Sequence, residues 1–309
     1  MSLKLSQKKL AGLTIIELLI STAIAVMILS ALITTYIAVK SKYSEYKDKT
    51  TTEAKELLVK NIFYNFVKDV GFACKFGYSQ QTYYDRTSDS LDSIFYSPAM
   101  IRVGRLPLAT SSHFPQSLED GCSGDCYQTG TDYIMIKKEE SHSSLTQINS
   151  PSTTLHLRSV DVLTADDYLF LCNKNSINLV KASNINSGSS IVSLSQSPQG
   201  GDYYPGDYVG KYSLEILYVR DTGEQDSQGQ DIYSLYVYIK DSGANGMSYE
   251  LVRGVENLQV EYATVSNNVV TWNNVTTDID INSTSHPALK ISYSIAGQTF
   301  SKIISISVS

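Results

Sequence analysis

The chain has 309 residues, 42% of them apolar and 18% charged, with a formal net charge of −6. That length holds one packed domain plus a membrane segment, or two small domains, and the acidic balance argues against a general nucleic-acid binder. Tyr is unusually common at 22 residues, and Ser, Thr, Asn and Tyr crowd the second half, which suits a β-rich extracytoplasmic domain better than a cytosolic enzyme.

Residues 1–12 carry Lys4, Lys8 and Lys9 and no acid; losing these three lysines takes the net charge from −6 to −9. From Leu13 to Val39 there are 27 residues with one charged side chain, Glu17. As a helix this run is roughly 40 Å long, more than a hydrocarbon core of about 30 Å. The lysines keep residues 1–12 on the cytoplasmic side, so the bulk of the chain lies outside. An ordinary secretory signal has a shorter apolar core and ends in a small-residue site, whereas Ala38-Val39-Lys40-Ser41 is a poor one. A plain anchor leaves Glu17 unexplained, because an acid at the bilayer centre costs about 2.5–3.5 kcal/mol on insertion scales.

Leu10-Ala11-Gly12 followed by Leu13-Thr14-Ile15-Ile16-Glu17-Leu18-Leu19-Ile20 resembles the class III signal of type IV prepilins. In that family a membrane peptidase cuts after the glycine and methylates the new N-terminus. The resemblance implies cleavage between Gly12 and Leu13, N-methylation of Leu13, and Glu17 as the fifth mature residue. The family usually has Phe where this chain has Leu13. In the family's filaments such a Glu neutralises the N-terminal amine of a neighbouring subunit, and a misaligned subunit would leave a buried charge unpaired. Glu17 therefore reads as the assembly charge.

Beyond Lys40, Tyr43, Tyr46, Ala54, Leu57, Leu58, Ile62, Phe66, Val67 and Val70 recur mostly at three- and four-residue steps. No Pro or Gly lies between Gly12 and Gly71. The pattern predicts one helix over about 13–70: a transmembrane or filament-core half at 13–40, then an amphipathic half at 41–72 that packs its apolar face on a head. Residues 73–130 read as an irregular, cysteine-containing insert. Tyr83-Tyr84-Asp85-Arg86, Pro98, Pro107 and Pro115 mark its turns, and 94–107 hold a short strand or edge element.

The four cysteines, Cys74, Cys122, Cys126 and Cys172, predict two disulfides in an oxidising compartment. Three connectivities are open; a local Cys122–Cys126 bridge with Cys74–Cys172 is one of them. A zinc knuckle is a poorer reading, since the Cys-x-x-x-Cys pair has no nearby His or second close pair.

Residues 131–309 read as a β-rich head. Strands are predicted at 133–137, 153–162, 168–172, 177–182, 190–194, 211–220, 232–240, 249–253, 258–263, 289–295 and 300–308. The acidic stretch Asp221–Asp231 is expected to be a hairpin loop, and Ala296-Gly297-Gln298 a tight turn. The predicted class is α+β: a long N-terminal helix, transmembrane and then amphipathic, packed on an antiparallel sheet in a pilin-like arrangement.

Leu251-Val252-Arg253-Gly254-Val255-Glu256-Asn257-Leu258-Gln259-Val260-Glu261-Tyr262 is similar to a segment near the C-terminus of the PilW family of minor pilins, where Gly-Val-Glu introduces a late strand. Asp167–Cys172 and Ile177–Val180 also resemble that family's middle strands. The resemblance implies a non-enzymatic subunit of type IV pilus assembly, in an initiation or tip complex that serves adhesion and twitching motility. Its implied partners are the prepilin peptidase, the major pilin, other minor pilins and the inner-membrane assembly platform. It would span the inner membrane once, with the N-terminus cytoplasmic and the head periplasmic, before joining the surface pilus. The GspJ-type pseudopilin of type II secretion shares the signal and part of the late segment; a pilus-borne adhesin or DNA-uptake subunit is the other alternative.

No cofactor or metal is implied. His113, His142, His156 and His286 are scattered and lack zinc-ligand spacing, and no nucleophile elbow or phosphate-binding loop appears. Asp221, Glu224, Asp226 and Asp231 do not follow the order of a calcium loop, which favours a solvated hairpin.

Overall fold

The computed structural model describes residues 15–71, 82–87, 100–106, 126–242, 246–282 and 285–306. The chain divides into two units, Met1–Ala54 and Lys55–Ser309. Helix α1, Ile15–Lys68, runs through the boundary, as expected from a stretch without Pro or Gly. In the first unit no described residue is buried.

In the second unit the last turns of α1 bury Val59, Phe63, Phe66 and Val67, with Ile62 and Val70 partly covered beside them. The expected stripe is thus displaced at its start: Leu57 is 69% exposed and Leu58 49%. Leu57 and Leu58 satisfy the spacing, but Val59-Phe63-Phe66 is the row that faces the sheets. After the helix, Gly71 (φ 116°) takes a backbone conformation that L side chains rarely adopt. From there its N–H donates to the Lys137 carbonyl (3.1 Å) and its carbonyl accepts from Glu139 N–H (3.2 Å).

The strands are β1 (Thr82–Arg86), β2 (Ile101–Arg105), β3 (Asp132–Ser144), β4 (Thr154–His156), β5 (Tyr168–Cys172), β6 (Ser176–Asn186), β7 (Ile191–Leu194) and β8 (Tyr208–Gln225). They continue with β9 (Asp231–Lys240), β10 (Met247–Arg253), β11 (Val255–Ser266), β12 (Val269–Asn274), β13 (Ile279–Ile281), β14 (Ala288–Ile295) and β15 (Gln298–Ser305). An 11-stranded sheet has the path β13-β2-β3-β8-β5-β6-β7-β4, with β1 joined to β6 and β9-β10 branching from β8; a second sheet has the order β12-β11-β14-β15. Strand β8 is the spine. Residues 208–217 pair with β3 on one side, while 208–211 pair with β5 and 214–225 with β9 on the other.

One segment read as turns is a strand, and the short strand expected beyond it is present. Tyr83-Tyr84-Asp85-Arg86 lies in β1, which pairs parallel to β6, and a parallel pair has no hairpin turn to announce it. Strand β2 is buried along most of its length between β3 and β13, which meets the expectation of a strand within 94–107. Only 154–156 of the predicted 153–162 strand is extended into a ladder. The predicted 296–298 turn is found: Ala296 (φ 50°) and Gly297 (φ 75°) form a two-residue turn of the kind that matches strand twist.

Alternation along the strands gives the main sheet two apolar faces. Ile134, Ile136, Leu217, Val219 and Leu235 meet the last turns of α1 and the inner residues of the second sheet, Val260, Leu289, Ile291 and Tyr293. Tyr133, Met135, Phe170, Ile216, Tyr218 and Tyr238 line the other face. Among the described residues, eight of the tyrosines are buried core side chains.

Candidate functional site

The apolar half of α1 is the first candidate. None of its described residues is buried, and it is long and apolar enough to cross a membrane by length and composition. Ile15 is 79% exposed and Leu32 61%. Four of its hydroxyls, those of Thr22, Ser30, Thr34 and Thr35, turn back on the helix. Thr22 donates to the Leu19 carbonyl (3.0 Å), Ser30 to Met27 (2.8 Å) and Thr35 to Ala31 (2.8 Å). Hydroxyls satisfied in this way suit an apolar medium, where an unmet donor costs several kcal/mol. Glu17 is exposed in the first turn of α1, where the helix dipole favours negative charge. Gly12 and Leu13 lie outside the described residues.

Residues 42–53 are mostly polar, with Tyr43 and Tyr46, the first members of the expected stripe, exposed, and with ion pairs Lys42–Glu45 (2.7 Å) and Lys49–Glu53 (3.9 Å). Exposed pairs of this kind contribute little, typically about 0.3–0.5 kcal/mol. From Lys55 onward the helix belongs to the head. Lys55 Nζ donates to the Arg253 carbonyl (2.9 Å), Lys68 Nζ to the Ser305 carbonyl (2.9 Å), and the Tyr293 hydroxyl to the Glu56 carbonyl (3.2 Å).

The Gly254-Val255-Glu256 segment has a definite place. Arg253 ends β10 in the large sheet, and Val255 begins β11 in the four-stranded one. Gly254 (φ 80°) is the single residue between them, and its N–H donates to the Tyr233 carbonyl (2.8 Å). The chain changes sheets there, beside the Lys55 contact. A Cβ at this φ is strained. Asn257 (φ 56°) lies in a bulge of β11, where its N–H donates to Gln128 Oε1 (2.7 Å).

Cys172 ends β5, fully buried, and is a thiol, which corrects its inclusion among the disulfide candidates. The centre of the main sheet holds the Cys172 side chain within the tyrosine-lined face. Cys126 is disulfide-bonded; Cys74 and Cys122 lie outside the described residues.

Each acidic side chain of the 221–231 hairpin has local work. Asp226 Oδ1 accepts from the Gln228 and Gln230 N–H groups (2.7 and 2.9 Å), and Asp221 Oδ1 from Gly223 N–H (2.8 Å). Glu224 pairs with Arg253 (2.6 Å), and Asp231 Oδ1 accepts from Gln225 Nε2 (3.0 Å). These contacts build a hairpin. His142 contacts Glu139 through Nδ1 (2.6 Å), and His286 sits edge-on to Tyr262. His156 is half-buried on β4, and His113 lies outside the described residues. Among the described residues no group of three or more His, Cys, Asp or Glu side chains is disposed to hold a metal ion.

Sequence reasoning missed the buried charges. Asp132 is 1% exposed; it accepts from Arg105 Nε (3.0 Å) and from Val260 N–H (2.7 Å), which ties the two sheets together. Burial raises its carboxyl pKa, opposed by the Val260 and Arg105 bonds. Lys137 is fully buried, and Arg102 binds Asp280 (2.6 Å) on the same face of the sheet. The partners are up to 178 residues apart, and nothing local in the sequence marks them.

No family model, curated protein or solved structure matches this chain.

Proposed function

We propose that this chain is a minor pilin of the type IV pilus, PilW-like, which contributes to pilus initiation or the tip complex. The observation that carries the reading is α1. One unbroken helix has exposed apolar side chains through residues 15–39 and is core of the head at Val59, Phe63, Phe66 and Val67. A helix apolar all round needs lipid or other apolar helices as its surroundings. A helix that then becomes integral to a globular head suits a subunit that passes from a membrane into a filament. The disulfide at Cys126 supports a head outside the reducing cytoplasm. On this reading the peptidase cuts between Gly12 and Leu13 and methylates Leu13. Glu17 then meets the amine of a neighbouring subunit, and the partners are the major pilin, other minor pilins and the assembly platform.

The test replaces Glu17 with Ala in cells that assemble pili. Breaking one side of a buried ion pair costs about 3–5 kcal/mol, so surface pili should fall by about a hundredfold or more. The mature protein should still begin at Leu13, as read by its mass. Unchanged pilus number with normal processing would remove the assembly role from Glu17; an unprocessed chain in the parent strain would remove the pilin reading itself.

A further inference from the structure

The strands at the margins of the two sheets differ in how they are protected from pairing with another chain. Strand β10 has a bulge between Glu250 and Val252 and carries Glu250 and Arg253. Strand β15 carries Lys302, and Lys68 reaches the Ser305 carbonyl near its end. Strands β4 and β13 have three residues each, and β1 carries Asp85 and Arg86. Charges, bulges and shortness are the usual devices that blunt an edge. Strand β12, Val269-Val270-Thr271-Trp272-Asn273-Asn274, has none of them. It pairs with β11 in unbroken register and, among the described residues, with nothing on its other side. It has no charge and no proline. Val269 is 62% and Val270 54% exposed, Thr271 is exposed, and Trp272 is half-buried.

Which backbone groups face outward follows from the turn. Asn267 (φ 49°) and Asn268 (φ 62°) form a two-residue turn closed by Ser266 and Val269. In such a hairpin the closing pair is hydrogen-bonded and the pairs alternate from there. Val269, Thr271 and Asn273 therefore bond to β11, while Val270, Trp272 and Asn274 present their N–H and C=O groups to the open edge. The side chains of Val270 and Trp272 lie on the same face as Val265 and Ala263, their partners in β11.

We propose that β12 pairs antiparallel with β12 of a second copy of this chain about a two-fold axis at Thr271, joining two four-stranded sheets into one. Face parity restricts the register, since a slip of one residue would put every side chain on the wrong side. With Thr271 opposite Thr271, Val270 of each copy stands opposite Trp272 of the other, and their outward backbone groups meet as hydrogen-bonded pairs. The register makes two aromatic–β-branched cross-strand pairs, a favourable combination, and brings no like charges together. An isologous contact of this kind is closed and gives a dimer. One short strand pair buries less than the roughly 1,000 Å² of a stable interface, so the dimer is weak in dilute solution and is best trapped covalently.

The experiment makes Thr271→Cys in the full-length chain in detergent micelles and oxidises it with copper–phenanthroline. Opposed residues at a non-hydrogen-bonded position have Cα atoms about 4.5 Å apart, within disulfide reach. Thr271→Cys should give a cross-linked dimer whose digest contains two copies of the β12 peptide joined by a disulfide at the substituted position. Its yield should be several-fold greater than that from Ser301→Cys on exposed β15. Adding Val270→Lys, another exposed position, should abolish that cross-link while the circular dichroism of the protein stays unchanged. Absence of the disulfide-joined β12 peptides, equal yield from Ser301→Cys, or a cross-link that survives Val270→Lys would each overturn the proposal.

Discussion

Replacing Phe63 with Ala should destabilise the head by about 3–5 kcal/mol, the usual cost of truncating a fully buried aromatic side chain. Phe63 has no solvent exposure, and its ring lies 5.5 Å from that of Tyr293, with an interplanar angle of 54°. Tyr293 in turn holds the Glu56 carbonyl, earlier on the same helix. The substitution leaves a cavity between the last turns of α1 and the two sheets, in the cluster that also holds Val59, Leu217, Leu235 and Ile291. Leu57→Ala is the matching control. It truncates a hydrophobe on the same helix, but one at 69% exposure, and surface changes stay within about 0.5 kcal/mol. Urea unfolding followed by the fluorescence of Trp272 reads both. Equal midpoints for the two variants would mean that the helix contributes nothing to the head through Phe63.

The contrast between Phe63 and Leu57 shows how far the sequence could be read. That α1 exists, and nearly its whole extent, follows from 54 residues without Pro or Gly and from an apolar run too long for a core helix. Which of its residues face the sheet does not follow, because Leu57, Leu58 and Val59 are consecutive and period alone allows each to start the stripe. Hairpin strands were legible where a turn and two alternating runs coincide, as at Leu289–Ile295 and Phe300–Ser305 around Ala296-Gly297. Strand β1 was not, because its partner β6 lies about 94 residues away, Thr82 against Ser176, and parallel pairing has no local signature. Strand β12 was missed although Asn267-Asn268 is a turn signal between valines, the sort of dipeptide that tolerates φ > 0. Gly254 was singled out for its motif, yet its position at the change of sheets depends on pairings with Tyr233 and Lys55 that only the fold brings together. The buried charges were illegible for the same reason. Lys137 ends a strand-like run and reads as the residue where the chain meets water.

Lys137→Met should flatten the dependence of stability on pH between about 7 and 10.5, and should raise stability near pH 6–7. Burial lowers the Lys137 amine from 10.5 to about 7; the Asp280 carboxylate opposes that shift and Arg102 adds to it. In the unfolded chain the amine keeps its ordinary value. Between these two values the unfolded state holds about one proton more than the folded state, so stability contributed by this group rises with pH across the window. Below about pH 7 both states are protonated, and the folded protein carries the whole cost of a buried ammonium. A net shift of this size, in which the Asp280 attraction is already counted, corresponds to on the order of 5 kcal/mol. Methionine fills a similar volume without charge, and replacing buried ionic groups by apolar ones of like size is often stabilising by about 1–4 kcal/mol. Asp280 retains Arg102 as its ion-pair partner at 2.6 Å, so the substitution does not strand a carboxylate. Urea midpoints for the parent and Lys137→Met proteins at pH 6, 8 and 9.5 decide the matter. The gap between them should be widest at pH 6 and close steadily as pH rises; a gap that is constant with pH would mean that Lys137 is protonated to the same extent in both states.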